Sequence, residues 1–193
     1  MPDTGAPWNI PYVAGTDLVA DWPTDSQTLA EAIADGLDDA GLFKQIVQTV
    51  KTDTFSTTST SFTPVTGMSV SITPSDNTNK VLVVAFVNSS DSATNAVHYK
   101  ITGGNAGTFI GDAAGSNRIR AAFSVDRGLA SATGVASGTI VYLDSPAQAT
   151  SVTYQLEMMV DGGTGYLNQT RTDTDATRFP RLASSITAIE VIA

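Results

Sequence analysis

From Gln45 to the end of the chain, apolar residues recur mainly at a spacing of two, interrupted by turn chemistry. A strand with one buried face needs that spacing, because successive side chains leave the backbone on opposite sides. Candidate strands cover 45–52, 61–65, 68–73, 80–87, 96–102, 107–110, 118–125, 137–143, 151–160, 164–169 and 184–192. Between them stand Thr73-Pro74-Ser75-Asp76-Asn77, Gly103-Gly104-Asn105, Asp126-Arg127-Gly128, Asp144-Ser145-Pro146 and Asp161-Gly162-Gly163. Many short strands with regular turns predict a mainly β domain, a sandwich or a barrel. The Thr/Ser run 54–61, bracketed by Phe55 and Phe62, reads as a further strand and turn with outward hydroxyls.

The strands are of two kinds. In 151–160, Val152, Tyr154, Leu156, Met158 and Val160 alternate with Thr153, Gln155, Glu157 and Met159. In 118–125, Ile119, Ala121, Phe123 and Val125 alternate with Arg118, Arg120, Ala122 and Ser124. Such strands bury one face and wet the other. The segments 81–87 and 140–143 are instead apolar at both parities. A sandwich covers one face of each sheet, so the second face needs another cover. A neighbouring subunit would supply it, with Val84 and Phe86 at the interface; so would the lead segment or a long loop of the same chain.

Before Gln45 the texture differs. Residues 1–23 read as extended, because Pro2, Pro7, Pro11 and Pro23 each block helix propagation. Trp8, Ile10, Tyr12, Val13, Leu18, Val19 and Trp22 make this stretch too apolar for a solvated tail. Its aromatics would either pack on the chain's own helix or anchor it in a partner. Residues 25–42 form the one predicted helix, with Thr24 and Gln27 at capping-box spacing and Gly41 at the C-terminal cap. Ala30, Ile33, Leu37 and Ala40 fall at a/d spacing with Leu29 beside them, under two heptads and too short for a coiled coil alone. That stripe would line a three-helix junction in a trimer or lie on its own β domain.

Charge follows the same division. Asp3, Asp17, Asp21, Asp25, Glu31, Asp35, Asp38 and Asp39 precede the first basic residue, Lys44. The net charge of −9 therefore sits almost wholly in the first fifth of the 193 residues. The expected organisation is an acidic attachment segment over 1–43 and a β head over 45–193. A pI near 4.3 argues against a nucleic-acid partner, which needs clustered Lys and Arg. No cysteine is present, which excludes disulfides, thiolate metal sites and a cysteine nucleophile. Met1-Pro2-Asp3-Thr4 carries no basic lead and no apolar run follows, so neither an export leader nor membrane insertion is expected.

Catalytic patterns are sparse. The single histidine, His98, shares the parity of Lys100 and so falls on a polar face; no Gly-x-Ser-x-Gly motif accompanies it. The glutamates are Glu31, Glu157 and Glu190, each inside a helix or strand pattern, whereas a glycosidase needs two carboxyls facing across a cleft. Calcium is the least implausible metal, with Asp173 and Asp175, or Asp91 near Asn88, as donors, and Arg171, Arg178 and Arg181 favour a salt-bridged loop around the first pair. Gly103-Gly104-Asn105-Ala106-Gly107 lacks the Lys-Ser/Thr ending of a phosphate loop. Asn88-Ser89-Ser90 and Asn168-Gln169-Thr170 match glycosylation sequons. No enzyme activity, cofactor or metal is expected.

Two stretches carry a resemblance. Trp8-Asn9-Ile10-Pro11-Tyr12-Val13-Ala14-Gly15-Thr16-Asp17-Leu18-Val19, with Trp22-Pro23-Thr24-Asp25-Ser26-Gln27 and Leu29-Ala30-Glu31-Ala32-Ile33, resembles the N-terminal segments of minor tail and fibre-like virion proteins of actinobacterial tailed phages. The segment 47–57, followed by 65–75 and Lys80-Val81-Leu82-Val83, resembles a β-sandwich module common in phage structural proteins. The likeness spans most of 8–87 and, more loosely, 184–192. It implies a jelly-roll-like β-sandwich preceded by an extended N-terminal anchor and one short helix. It also implies a homotrimer on the virion surface with its N-terminus towards the particle; on the residue patterns above, Trp8, Ile10, Tyr12, Leu18 and Trp22 would then attach it to other virion proteins and Leu29, Ile33, Leu37, Val84 and Phe86 would lie between subunits. A host-surface glycan is the candidate ligand. Two other readings stay open: a capsid decoration or head-fibre protein, and a free carbohydrate-binding module using Tyr99, Tyr142, Tyr154 or Tyr166.

Overall fold

A computed structural model describes residues 22–39, 43–92, 95–105, 109–113, 115–125 and 132–193. The chain divides into two compact units that meet in sequence at Leu42 and Phe43. In the first unit, α1 runs Trp22–Asp39. It begins three residues before the predicted start, because Pro23 stands in the first turn, where a missing N–H breaks no helical bond. Thr24 therefore lies inside the helix and is not its cap; its carbonyl accepts from Thr28 Oγ1 at 2.8 Å. Gln27, expected to complete the capping box, bonds forward to Glu31 Oε1 instead. Gly41 and the anchor candidates Trp8, Ile10, Tyr12 and Leu18 lie outside the described residues.

The second unit holds ten strands: β1 Phe43–Lys51, β2 Phe55–Thr57, β3 Thr63–Ile72, β4 Lys80–Asp91, β5 Val97–Thr102, β6 Phe123–Val125, β7 Ala136–Asp144, β8 Val152–Val160, β9 Gly165–Leu167 and β10 Ser184–Val191. β1, β10, β4 and β7 lie side by side in one sheet; β9 takes up pairing with β4 where β10 leaves off, and β2 pairs with β9. The other sheet runs β3-β8-β5-β6. With β2 and β9 set aside as short extensions, eight strands remain. Their order is first-eighth-third-sixth in one sheet and second-seventh-fourth-fifth in the other, every pair antiparallel. That is the wrapping of a jelly roll, the sandwich expected from the strand pattern.

Alternation fills the space between the sheets. Val81, Val83, Ala85 and Val87 from β4 and Ile186 and Ala188 from β10 meet Val70, Ile72, Tyr99, Ile101, Tyr154, Leu156 and Met158 from the other sheet. Each such buried aliphatic side chain contributes about 1.5–3 kcal/mol. The two core tyrosines bring their hydroxyls across: Tyr99 donates to Ser89 Oγ at 2.8 Å and Tyr154 to Asp144 Oδ2 at 2.7 Å. Burial pushes both phenols well above their ordinary range. Gly138 lies against the Phe123 ring so closely that a Cβ there would fall 2.1 Å from a ring carbon.

Three expectations for the strands need correction. Segments 61–65 and 68–73 are one strand, β3, with a bulge at Gly67, whose φ is +79°. The bulge leaves the carbonyls of Val65 and Met68 without ladder partners, and Gln155 Nε2 donates to both, at 3.0 and 3.1 Å. Residues 109 and 110, in the predicted strand 107–110, form a bend. Only Phe123–Val125 of 118–125 is strand; Arg118 to Ala122 run outside the ladder, and Ile119 is exposed instead of buried.

One corner of the six-stranded sheet is held by buried polar groups. Asn168, at φ +62° and fully buried, donates from Nδ2 to the carbonyls of Lys51 and Asp53 and accepts from Ser184 Oγ at 2.6 Å. Asn88 donates to Ala183 O and accepts from Ser137 Oγ, both at 2.6 Å. Both sequon asparagines are thus interior hydrogen-bond hubs.

Candidate functional site

The sheet register sets out the outer face of β1, β10, β4 and β7 row by row. Ile46 pairs with Ile189, Ile189 with Leu82, and Leu82 with Leu143. The next row is Gln48, Thr187, Val84 and Val141; the third is Val50, Ser185, Phe86 and Thr139. Of these twelve residues eight are apolar, four are neutral polar and none is charged. Ile46 is 63% exposed, Val141 51% and Phe86 41%. Gln48 Nε2 donates to Thr187 Oγ1 at 2.9 Å, so two of the polar members bond each other across the strands.

Four strands at about 4.8 Å spacing and some six residues at about 3.3 Å rise make a patch on the order of 400 Å². That is as large as the largest apolar patch a typical monomer shows, and about half of what one partner buries in a stable complex. The expected interface residues Val84 and Phe86 sit in its second and third rows. Leu29 of α1 is half-buried and Ile33 is 44% exposed. Trp22 and Leu37 lie within α1, with side chains outside the described residues. Pattern reasoning found the β4 and β7 members through their double parity. It missed Ile46, Val50 and Ile189, because neither β1 nor β10 is a continuous apolar run and only the register joins these residues to the others.

The opposite outer face, on β3-β8-β5-β6, is polar. Its cross-strand neighbours are Ser124, His98 and Met159; Lys100 and Glu157; Thr102 and Gln155; Ser71 and Thr153. His98 Nδ1 lies 2.8 Å from Ser124 Oγ. Lys100 Nζ lies 3.1 Å from Glu157 and 4.7 Å from the centre of the Phe62 ring. Tyr99 and Tyr154 are core residues, which removes both from the aromatics available to a sugar.

The other titratable groups serve the fold. Glu190 is buried and accepts from Ser75 N and Oγ, both at 2.6 Å, and from Asn79 Nδ2 at 2.8 Å. Burial alone would raise its pKa; the bonds from Ser75 and Asn79, with the Lys44 charge, outweigh this and hold it below the ordinary value. Asp144, fully buried, accepts from Tyr154, Tyr142 and the Asn105 amide. Asp173 pairs with Arg181 in the salt-bridged loop its neighbours suggested, beside a shallow cavity of about 350 Å³ that Asp175 also lines. No group of three metal-ligating side chains occurs among the described residues, and no described helix is long and apolar enough to cross a membrane.

No protein-family model matches this chain, and no curated protein matches it. Among solved structures, the crystal structure of the infectious bursal disease virus VP2 subviral particle is similar over 76% of this chain and 32% of that one, at 13% identity and a TM-score of 0.42. The structure of the infectious bursal disease virus Gx strain is similar over 78% of this chain and 37% of that one, at 12% identity and a TM-score of 0.36. The chain spans about a third of the length of those two. Likeness at this level carries no inference about function.

Proposed function

We propose that this protein is a structural component of a tailed-phage virion, a trimeric minor tail or fibre-like protein. Residues 1–43 attach it to other virion proteins, and the jelly roll is displayed on the particle surface for adhesion or particle stabilisation. The observation that carries this reading is the three uncharged rows on the outer face of β1, β10, β4 and β7, bordered on β4 by Lys80, which sister copies of the chain would cover. Sister copies suit it because the patch has no charge to specify a foreign partner, and its area is half of a standard interface, leaving a rim for the rest of the contact. The motifs over 8–33 and 47–83 favour the virion setting, and the acidic lead suits a basic docking surface. Three displayed heads would turn weak individual contacts into avidity.

The test is to delete residues 1–43 and measure incorporation into particles, with solution mass measured in parallel. Loss of incorporation with the oligomer retained is the expected result. Retained incorporation would refute the anchor. A full-length protein at its monomer mass of 20.0 kDa would refute sister copies as the cover and leave α1 or the lead of the same chain to provide it. Incorporation into heads and not tails would identify a capsid decoration protein.

A further inference from the structure

A second feature lies on the polar side of the sandwich and extends beyond the display role. Beside β5 and β8 an open groove of about 560 Å³ is lined by Phe62, Lys100, Arg118, Ile119, Arg120 and Met159, with the Thr60 and Ser61 hydroxyls at one edge. Its size is within the range of small-ligand sites. Three of the protein's ten basic residues line it although the chain as a whole carries −9, and no carboxylate is among the described residues lining it. Glu157 neutralises Lys100 from the neighbouring strand. Arg118 and Arg120 have no carboxylate within ion-pair distance among the described residues.

The groove is built. Gly111 N donates to Ala121 O at 3.1 Å and Ala122 N to Tyr99 O at 2.8 Å, which ties the segment bearing both arginines to β5. Arg120 Nε donates to Gly111 O at 2.8 Å and so fixes its guanidinium against that segment. Lys100 is held between Glu157 and the Phe62 ring. Met159 is nearly buried beneath, and Ile119 is exposed beside the arginines.

We propose that this groove binds an acidic saccharide, one carrying carboxylate or phosphate groups. The two arginines supply planar, permanently charged donors for the anion. Ile119 offers apolar surface to the C–H face of a sugar ring, and the Thr60 and Ser61 hydroxyls can bond its hydroxyls. A neutral saccharide would leave the arginines unmatched. An acidic peptide would satisfy them but makes less use of the hydroxyl edge, so the saccharide is the better fit.

The experiment titrates the full-length protein by calorimetry with an oligogalacturonate, its methyl ester, a phosphorylated mannose oligomer and a glutamate-rich peptide. One or both acidic saccharides should bind. Their affinity should fall roughly tenfold between about 50 mM and about 500 mM salt, because the exposed charges are screened. Arg118→Gln with Arg120→Gln should weaken binding roughly tenfold or more, since each removes a charge-assisted bond. Ile119→Glu, which leaves both arginines in place, should do the same, and Arg178→Gln, outside the groove, should change nothing. Equal binding of the methyl ester, undiminished binding by the double variant, no binding of either acidic saccharide, or tighter binding of the peptide would each overturn the proposal. Particle incorporation is not read, so this result is separate from the virion reading.

Discussion

The two outer faces of the sandwich close over one shared interior, yet they present opposite chemistry to the surroundings. In the three central rows of β1, β10, β4 and β7 the outward positions are Ile46, Ile189, Leu82, Leu143, Val84, Val141, Val50 and Phe86 with four neutral polar residues. On β3, β8, β5 and β6 they include Lys100, Glu157, His98, Gln155, Ser71 and Thr153. Water satisfies the second set and gains nothing from the first. One sheet thus turns a polar layer outward, and the other an apolar one. The difference separates what the fold requires, which is the shared interior, from what an assembly would require, which is one exterior.

The sharpest way to break this contrast is to charge the apolar face. Val84→Asp with Val141→Lys places an opposite-charge pair on directly opposed residues, which spares the sheet while charging the surface. We expect the proposed oligomer to dissociate fully to the 20.0 kDa chain in sedimentation, whereas Ser71→Asp with Thr153→Lys on the polar face should leave the mass unchanged. The next largest effect belongs to the interior. Asp144→Ala strands the Tyr154 hydroxyl and the Asn105 amide, so denaturant unfolding should show a loss of about 3 kcal/mol or more.

A smaller effect should follow pH. Glu190 has its folded pKa held below the unfolded value, so the unfolded state binds more protons in that window. Its contribution is present above the unfolded carboxylate pKa, about 4.3, and is lost as pH falls through the folded value. Glu190→Gln should flatten that part of the stability–pH curve. The smallest effect is expected on the polar face itself: Glu157→Gln removes a partly exposed pair with Lys100 and should change stability by about 1 kcal/mol or less.

The legibility of each part in the sequence follows from how its information is stored. Strand positions were readable because burial of one face marks alternate residues, and the surplus apolar layer because 81–87 breaks that alternation. Residues 118–122 mislead because Ile119 and Ala121 continue the alternation of Phe123 and Val125 without a ladder neighbour of their own, and sequence spacing cannot reveal a missing partner. The single strand β3 was read as two because Gly67 shifts the register and lets Val65 and Met68 both face inward. Glu190 read as an ordinary strand carboxylate because its partners Ser75 and Asn79 stand more than a hundred residues away. The apolar face was half legible for the same reason: Val84 and Val141 announce themselves locally, whereas Ile46 and Ile189 join them only through pairing.

The interior position of Asn168 bears on how the protein can be made. Its side-chain amide already carries the bonds to Lys51 and Asp53 that close one corner of the sheet. A eukaryotic secretory host attaches sugars while the nascent chain is still open, and a glycan added at Asn168-Gln169-Thr170 would leave that corner unable to close. Yield from such a host should therefore collapse, and a bacterial host, which leaves Asn88 and Asn168 both unmodified, should restore it.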